Sequence, residues 1–336
     1  MYTNNTLDRG FDDEFQTISI IIPVYNSSEY LRNCLNSVQQ QKYNNIEVII
    51  IDDGSKDNSK MICKEFVKSD SRFILHSLRH QGVSATRNYG LKIASGQYVV
   101  FLDSDDSIKN SYLQNLYKEI HDSAVDLVIC DYNQVDVNSD TKDMEHYVPK
   151  CGLYQKKSYI NQLAKCPGAH YFGVLWNKIY RMDIIQKENI QFDTRLELGE
   201  DFDFNMKYLA AIHQIRVIPD KLYTYYWNRP SSLTHAAKSV EQKVSERILL
   251  YHSYRNLYVH ERLDVIWFYK LHYYMYKAYF EETKNFDYKN KKLKRYYMKK
   301  YLIDEDYALP EIVLVLMVKK IINIRRKLVD NKLKVN

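Results

Sequence analysis

The chain has 336 residues, 45% of them hydrophobic and 27% charged, with a formal net charge of +6. This is the make-up of an ordinary globular protein, long enough for one large domain or two modest ones. No run of 18 or more apolar residues is present to span a bilayer, and residues 1–16 form a polar, acidic tail without the basic start and apolar stretch of a secretory leader.

The first strand reads from residues 17–24, Thr-Ile-Ser-Ile-Ile-Ile-Pro-Val, and stops at Pro23. A helix follows with Tyr30, Leu31, Cys34, Leu35 and Val38 as its apolar stripe. The next strand, Ile46 to Ile51, runs into Asp52-Asp53-Gly54-Ser55. A second helix is predicted over 57–68, a short strand over 73–78, and a third helix over 83–94, ending at Gly96. Strand 97–102 then delivers Asp103-Ser104-Asp105-Asp106; a helix near 111–121 and a strand at 126–130 follow. Residues 133–150 are polar and read as an excursion, and beyond Ser231 only helical segments are convincing, near 239–259, 262–283, 290–302 and 309–330. Strand–helix alternation with short connections implies a parallel α/β sheet covered on both faces, which binds ligands at the carboxyl ends of its strands.

Three strand ends carry candidate chemistry: Pro23-Val24-Tyr25-Asn26, Asp52-Asp53-Gly54-Ser55 and Asp103-Ser104-Asp105-Asp106. Three carboxylates at the mouth of a buried strand repel one another and call for a cation or for donors; alone, such a run also reads as a solvated helix cap. No G-x-G-x-x-G and no G-x-x-x-x-G-K-[ST] accompanies it, so neither a dinucleotide site nor a P-loop is supported. Cys34, Cys63 and Cys130 lie in apolar patterns, and with Cys151 and Cys166 they show no metal-ligand spacing; reduced core thiols and a cytoplasmic location are expected. The 31 tyrosines suit half-buried surfaces and contact with sugar or membrane, though base bias would produce them too.

In chain order, Ile-Ile-Pro-Val-Tyr-Asn (21–26), Ile-Asp-Asp-Gly-Ser (51–55), Gly-Val-Ser-Ala-Thr-Arg-Asn-Tyr-Gly (82–90), Phe-Leu-Asp-Ser-Asp-Asp (101–106), Trp-Asn-Lys-Ile-Tyr (176–180) and Gly-Glu-Asp-Phe-Asp-Phe (199–204) resemble the family 2 glycosyltransferases. The members it looks most like build bacterial capsule, exopolysaccharide or teichoic-acid glycans. The resemblance covers roughly residues 17–235 and implies a GT-A-type fold: a nucleotide-binding, mostly parallel sheet flanked by helices. It also implies an inverting, metal-dependent enzyme that uses a nucleotide-diphosphate sugar. The expected organisation is a tail (1–16), a catalytic domain (17–235) with a nucleotide-sugar half (17–125) and an acceptor half (126–235), and a basic, Tyr-rich helical C-terminal module (236–336).

The resemblance implies roles residue by residue. Pro23, Tyr25 and Asn26 line the nucleotide pocket, Pro23 also ending its strand. Asp53 accepts a hydrogen bond from the base; a carboxylate suits the ring N–H of uracil or thymine and meets the bare ring nitrogen of cytosine badly, without excluding GDP. Arg87 binds the sugar-nucleotide or a D-x-D carboxylate, or is a surface arginine. His80 stands where the family often has Asn and can still hydrogen-bond the nucleotide; Thr86 stands where Ala is common. Asp103, Ser104 and Asp105 hold the donor and a Mn²⁺ or Mg²⁺ ion, with Asp105 first as ligand, Asp103 second, and Asp106 sharing that task or capping a helix. Asp201 is the general base with Glu200 in support, or the pair is an acidic helix start. Trp176 and Lys178 contact the acceptor, or are a buried tryptophan and an ordinary lysine. Arg229 and Ser232, in Arg229-Pro230-Ser231-Ser232, close over the diphosphate, and His235 is a further candidate for the metal or a phosphate.

Basic residues dominate from Lys284 to Lys334 and suit an anionic partner. Residues 309–330 join an apolar run (312–318) to Lys319, Lys320, Arg325, Arg326 and Lys327, which fits a helix lying on an anionic membrane surface as well as it fits a packed helix. A lipid-linked or glycan acceptor would favour peripheral membrane attachment, and the helical tail also offers a surface for homodimerisation. Two rivals fare worse. A nucleotidyltransferase needs a Gly-rich loop and a basic residue after the first strand, and Tyr25-Asn26-Ser27-Ser28-Glu29 has neither. A nucleic-acid binder using the basic tail would leave the strand-end aspartates without a role and repelling phosphate, so nucleic acid is not expected as a partner.

Overall fold

The computed structural model describes residues 16–122, 124–138, 146–166, 169–196 and 198–229, together with Ser253, Asn256, Leu257 and Glu261. The alternation read from the sequence is present over the first hundred residues. Strands β1 (Ile18–Val24), β2 (Ile46–Asp52), β3 (Phe73–Ser77) and β4 (Tyr98–Phe101) are interleaved with helices α1 (Leu31–Gln39), α2 (Ser59–Ser69) and α3 (Val83–Ile93). Ile18, Ile20, Ile21, Ile22 and Val24 are all buried, because β1 pairs in parallel with β2 on one side and β4 on the other and is covered on both faces. Pro23 costs that ladder little. The Ile21 carbonyl accepts from Leu102 N–H and the Val24 carbonyl accepts from Asp53 N–H, so alternate residues face β4 and β2. Pro23 faces the β4 side, beyond the last β1–β4 pair at Ile21 and Phe101.

The second half adds β5 (Ser107–Ile108), α4 (Tyr112–Ile120), β6 (Leu127–Asp136), β7 (Gly152–Gln155), α5 (Lys156–Lys165), α6 (His170–Gly173), β8 (Lys178–Arg181), α7 (Met182–Lys187), α8 (Glu200–Ala211) and β9 (Gln214–Trp227). Among the described residues they complete one nine-stranded sheet in the order β3-β2-β1-β4-β8-β6-β9-β5, with β7 on β9. The expected α/β sheet flanked by helices is borne out: it is parallel across β3-β2-β1-β4 and again between β6 and β9, and mixed elsewhere. There β8 runs antiparallel to both β4 and β6, and β5 and β7 run antiparallel to β9. The result is a mixed α/β sheet of the GT-A type.

The polar stretch after Cys130 also departs from expectation. Asp131 to Asp136 prolong β6, paired with Lys221 to Trp227 of β9 across register shifts on either side of Asp131. Pro219 and Asp220 sit in that irregularity, which is why the strand pattern breaks in the sequence while the strand itself continues.

Because β1, β2, β3, β4, β6 and β9 share one direction, their carboxyl ends meet at one edge of the sheet, and the antiparallel β8 begins there. Cys34, Cys63 and Cys130 are buried and free, as their apolar context suggested. No helix among the described residues is long and apolar enough to cross a membrane. Ser232, His235 and the helices proposed beyond residue 236 lie outside the described residues, apart from four positions. Of these, Leu257 is buried, Ser253 donates to Asp203 of α8, and Glu261 pairs with Lys156 at 2.7 Å.

Candidate active site

At the end of β2 the two aspartates do different work. Asp52 turns back and accepts Ser55 N–H at 3.0 Å, closing a turn in which Gly54 adopts φ +77°, a conformation that suits glycine. Asp53 is buried and points the other way. Its Oδ1 accepts Gln81 N–H at 3.0 Å, its Oδ2 accepts Gly82 N–H at 2.9 Å, and His80 Nδ1 lies 2.9 Å from Oδ2. A carboxylate offers about four acceptor positions, so Asp53 keeps capacity for one further donor. The Tyr25 ring stacks on His80 with centroids 4.0 Å apart, and both rings reach solvent. Asn26 serves the scaffold: its Oδ1 accepts Lys56 N–H and its own N–H meets Ser55 Oγ, joining the loops after β1 and β2.

The D-x-D segment after β4 is divided among three environments. Asp103 is partly exposed and receives Arg87 Nη2 at 2.9 Å. Ser104 is buried, sharing a 2.7 Å hydrogen bond with Ser27. Asp105 is partly exposed, and burial together with the neighbouring Asp103 raises its carboxyl to about 6. Asp106 is neither an exposed ligand nor a helix cap: it is buried, accepts Tyr223 O–H at 2.7 Å and Tyr226 N–H at 3.0 Å, and ties this segment to β9. Arg229 lies buried against Asp105, donating to its backbone carbonyl and standing 3.6 Å from its carboxylate. Its guanidinium is sandwiched between Tyr30 at 3.8 Å and Tyr226 at 4.5 Å.

Arg87 joins this segment to the second acidic site. Helix α3 approaches the sheet closely because Gly90 has no side chain; a Cβ there would stand 2.6 Å from Ile21 and 2.8 Å from Ile51. Three residues earlier on the same buried face, Arg87 is therefore driven to the strand ends, only 3% exposed. It is not a surface arginine. Nη1 contacts Glu200 at 2.9 Å and Asp201 at 2.6 Å, and Nη2 contacts Asp103 at 2.9 Å. One cation faces three carboxylates. Burial, with Glu200 and Asp103 nearby, raises the Asp201 carboxyl well above the ordinary range, against the lowering pull of Arg87. Both acids stand in the first turn of α8, whose dipole favours negative charge.

No group of three or more acidic, histidine or cysteine side chains arranged as a closed metal site occurs among the described residues. The donors still fit a hard divalent ion held partly by substrate. Such ions are bound through one or two carboxylates plus phosphate oxygens, and Asp105 and Asp103 are partly exposed at the same strand end.

Trp176 and Lys178 do not present themselves to an acceptor. Trp176 is 2% exposed and stacks on Tyr223 at 4.1 Å. Lys178 is 1% exposed, and its Nζ donates to the carbonyls of Tyr171 and Val174 and to Asn177 Oδ1. Burial drives its amine down to about 7. Lys178 begins β8 and braces the segment 171–174, a task shared by a residue that sequence reading missed. Asn205 Nδ2 donates to the carbonyls of Gly173, Val174 and Asp201, while Tyr180 O–H holds its Oδ1. Its only sequence signal is an i, i+4 spacing from Asp201.

The family described as glycosyl transferase family 2 matches residues 19–188 of this chain. "Glycosyltransferase GlyA" of Streptococcus pneumoniae serotype 4 is 35% identical over 215 residues, 62% of this chain and 30% of that protein. "Minor teichoic acid biosynthesis protein GgaB" of Bacillus subtilis is 35% identical over 126 residues, 36% of this chain and 14% of that protein. The chain thus spans less than a third of either relative. Among solved structures, S. aureus TarS 1–349 in complex with UDP-GlcNAc superposes with a TM-score of 0.63 at 23% identity, covering 82% of this chain and 74% of that one. That likeness is one of fold.

Proposed function

This chain belongs to glycosyl transferase family 2, and from that premise we propose that it is an inverting, metal-dependent glycosyltransferase. It moves a hexosyl or N-acetylhexosaminyl group from a nucleotide-diphosphate sugar, a UDP-sugar first, to a hydroxyl of a glycan or lipid-linked acceptor. Bacterial surface polysaccharide synthesis is the setting that GgaB's description favours. The observation that carries the reading is the Arg87 bridge, which brings the D-x-D aspartate Asp103 and the pair Glu200 and Asp201 to one point at the strand ends.

In this reading the base of the donor lies by Tyr25 and His80, its ring N–H directed to Asp53. Asp105, with Asp103 beside it, holds Mn²⁺ or Mg²⁺. A cation there offsets the charge that grows on the departing diphosphate. Asp201 takes the proton of the acceptor hydroxyl as that oxygen bonds to the anomeric carbon and the bond to the diphosphate breaks on the opposite face. Configuration inverts in the single displacement. Its raised proton affinity, caused by burial beside Glu200, makes Asp201 a stronger base than an exposed carboxylate. Arg87 keeps one Asp201 oxygen fixed. Arg229, held beside Asp105, is the residue that would meet the diphosphate. Ser232 and His235 extend that contact, and the basic stretch beyond residue 236 holds the enzyme at the inner face of a membrane or against a second copy.

The test is a screen of nucleotide-sugars for Mn²⁺-dependent hydrolysis by the full chain. Release of UDP from a UDP-sugar, abolished by chelation, is the expected result. Absence of turnover with every nucleotide-sugar, together with salt-sensitive binding of DNA or RNA, would overturn the reading.

A further inference from the structure

Trp176 is buried, but the stack it belongs to is not closed. Tyr223 packs on its ring at 4.1 Å and 12°, and Tyr225, two residues further along β9 and on the same face, lies nearly parallel to it at 5.6 Å and 20°. Tyr225 is half-buried, and among the described residues its hydroxyl has no hydrogen-bond partner. His170, exposed at the start of α6, flanks it at 5.4 Å. Tyr132 meets Trp176 edge-on at 4.7 Å and fixes the stack from the β6 side.

The platform sits beside the reacting groups. Tyr226 N–H is held by Asp106, so Tyr225 is anchored one residue away from the D-x-D segment. Burial and the field of Asp106, Asp103 and Asp105 push the Tyr225 phenol up to about 12, so its hydroxyl remains a donor facing acidic surroundings. Segment 170–174, which carries His170, packs on the start of α8, where Asn205 ties Gly173 and Val174 to Asp201. Tyr225 is thus one residue from the contact that holds β9 to the D-x-D segment, and His170 opens the short helix that Asn205 ties to the start of α8.

We infer that Tyr225, backed by Trp176 and flanked by His170, is the platform for the acceptor, and that it receives the apolar face of a neutral pyranose ring. The inference rests on the transferase reading and adds the class of acceptor. A phenol ring supplies flat apolar surface with a polar rim, which suits the C–H face of a sugar with its hydroxyls at the edge. Arg87 is engaged by Asp103, Glu200 and Asp201, and Arg229 is assigned to the donor's diphosphate, so neither is left to pair an acceptor phosphate, and a phosphorylated polyol is disfavoured beside Glu200 and Asp201.

Saturation-transfer NMR on the full chain with Mg²⁺ and UDP tests this. The probes are methyl α- and β-glycosides of glucose, galactose, N-acetylglucosamine and N-acetylgalactosamine, with glycerol 3-phosphate as the charged polyol. At least one glycoside is expected to bind through its ring C–H protons. Tyr225→Ala weakens it about tenfold, the scale of a lost aromatic contact, whereas Tyr225→Phe stays within about twofold because the ring remains. His170→Ala gives a smaller loss and guards against a misfolded Tyr225→Ala. Glycoside binding indifferent to both alanine variants, binding of none of the glycosides, or preference for glycerol 3-phosphate overturns the platform. UDP is titrated separately: a protein that binds no UDP fails the transferase reading, and the platform then stands or falls on the glycoside titration alone.

Discussion

Arg87 and Asp201 are 114 residues apart in the chain and 2.6 Å apart in space, joined from α3 to the first turn of α8. The same guanidinium reaches Asp103, so the two acidic motifs share one buried cation. Arg87→Met removes it and leaves three carboxylates crowded together. Breaking a buried pair in this way costs about 3–5 kcal/mol, and urea denaturation at pH 7 should show a loss of that order. Arg87→Lys should recover part of it, since an ammonium supplies the charge without the fork. Equal stability of wild type and Arg87→Met would mean the bridge is not formed in solution.

Asp201→Asn keeps an oxygen for Arg87 and cannot take a proton. Transfer should fall by about 10²–10⁴, while UDP binding measured by calorimetry stays near the wild-type value. Near-normal transfer by this variant would remove Asp201 from the role of base.

Asp105 gives a pH signature. Its carboxyl is raised to about 6 by burial and by Asp103, so the folded protein holds this proton more tightly than the unfolded chain. The contribution to stability is complete below the unfolded value and is lost as pH rises through about 6. Asp105→Asn should therefore raise the melting temperature of metal-free protein at pH 7.5 more than at pH 5. It should also abolish the Mn²⁺ dependence of UDP binding. A variant with the same melting temperature difference at both pH values would contradict the shift.

Asp106 is expected to behave as a structural residue. Asp106→Ala strands Tyr223 O–H and Tyr226 N–H, and leaving a buried donor without its partner costs about 1–3 kcal/mol. Thermal denaturation should register the loss. Because the loop it anchors carries Asp105, the residual folded fraction is the proper sample for metal titration. Wild-type stability with lost Mn²⁺ affinity would instead make Asp106 a ligand.

Lys178→Met tests whether the Trp-Asn-Lys segment touches the acceptor or only braces the fold. The lysine is buried with its amine lowered to about 7, so the unfolded chain binds this proton first and stability falls as pH drops from the ordinary lysine value to about 7, below which it levels off. The variant should flatten the stability profile between pH 7 and about 10, the interval separating the folded value from the ordinary lysine value. A profile identical to wild type would argue that Nζ is solvated.

Much of the first half was legible in the chain. The Ile-rich strands, the i, i+3, i+4 stripes of α1 and α2, and the carboxylates placed after β2 and β4 follow from local periodicity, because each face of a strand or helix is written at a fixed spacing. The second half was less so. β8 is four residues long, and β9 crosses Pro219 and Asp220, so neither presents a clean alternation. Their existence is decided by pairing with β4 and β6, which no window of sequence contains.

The same division runs through the site. Which acids stand at strand ends, and in which order, was set locally, since the end of a strand and the start of a helix are local events. What each polar group meets was set by packing between distant segments. Trp176 and Lys178 turned inward because β8 is inserted between β4 and β6, while Tyr225 took the outer place in the aromatic stack. Asp106 was drawn to Tyr223 and Arg87 to Asp201 because burying a charge is costly unless a partner from elsewhere in the fold satisfies it, and that partner is fixed by packing, not by spacing.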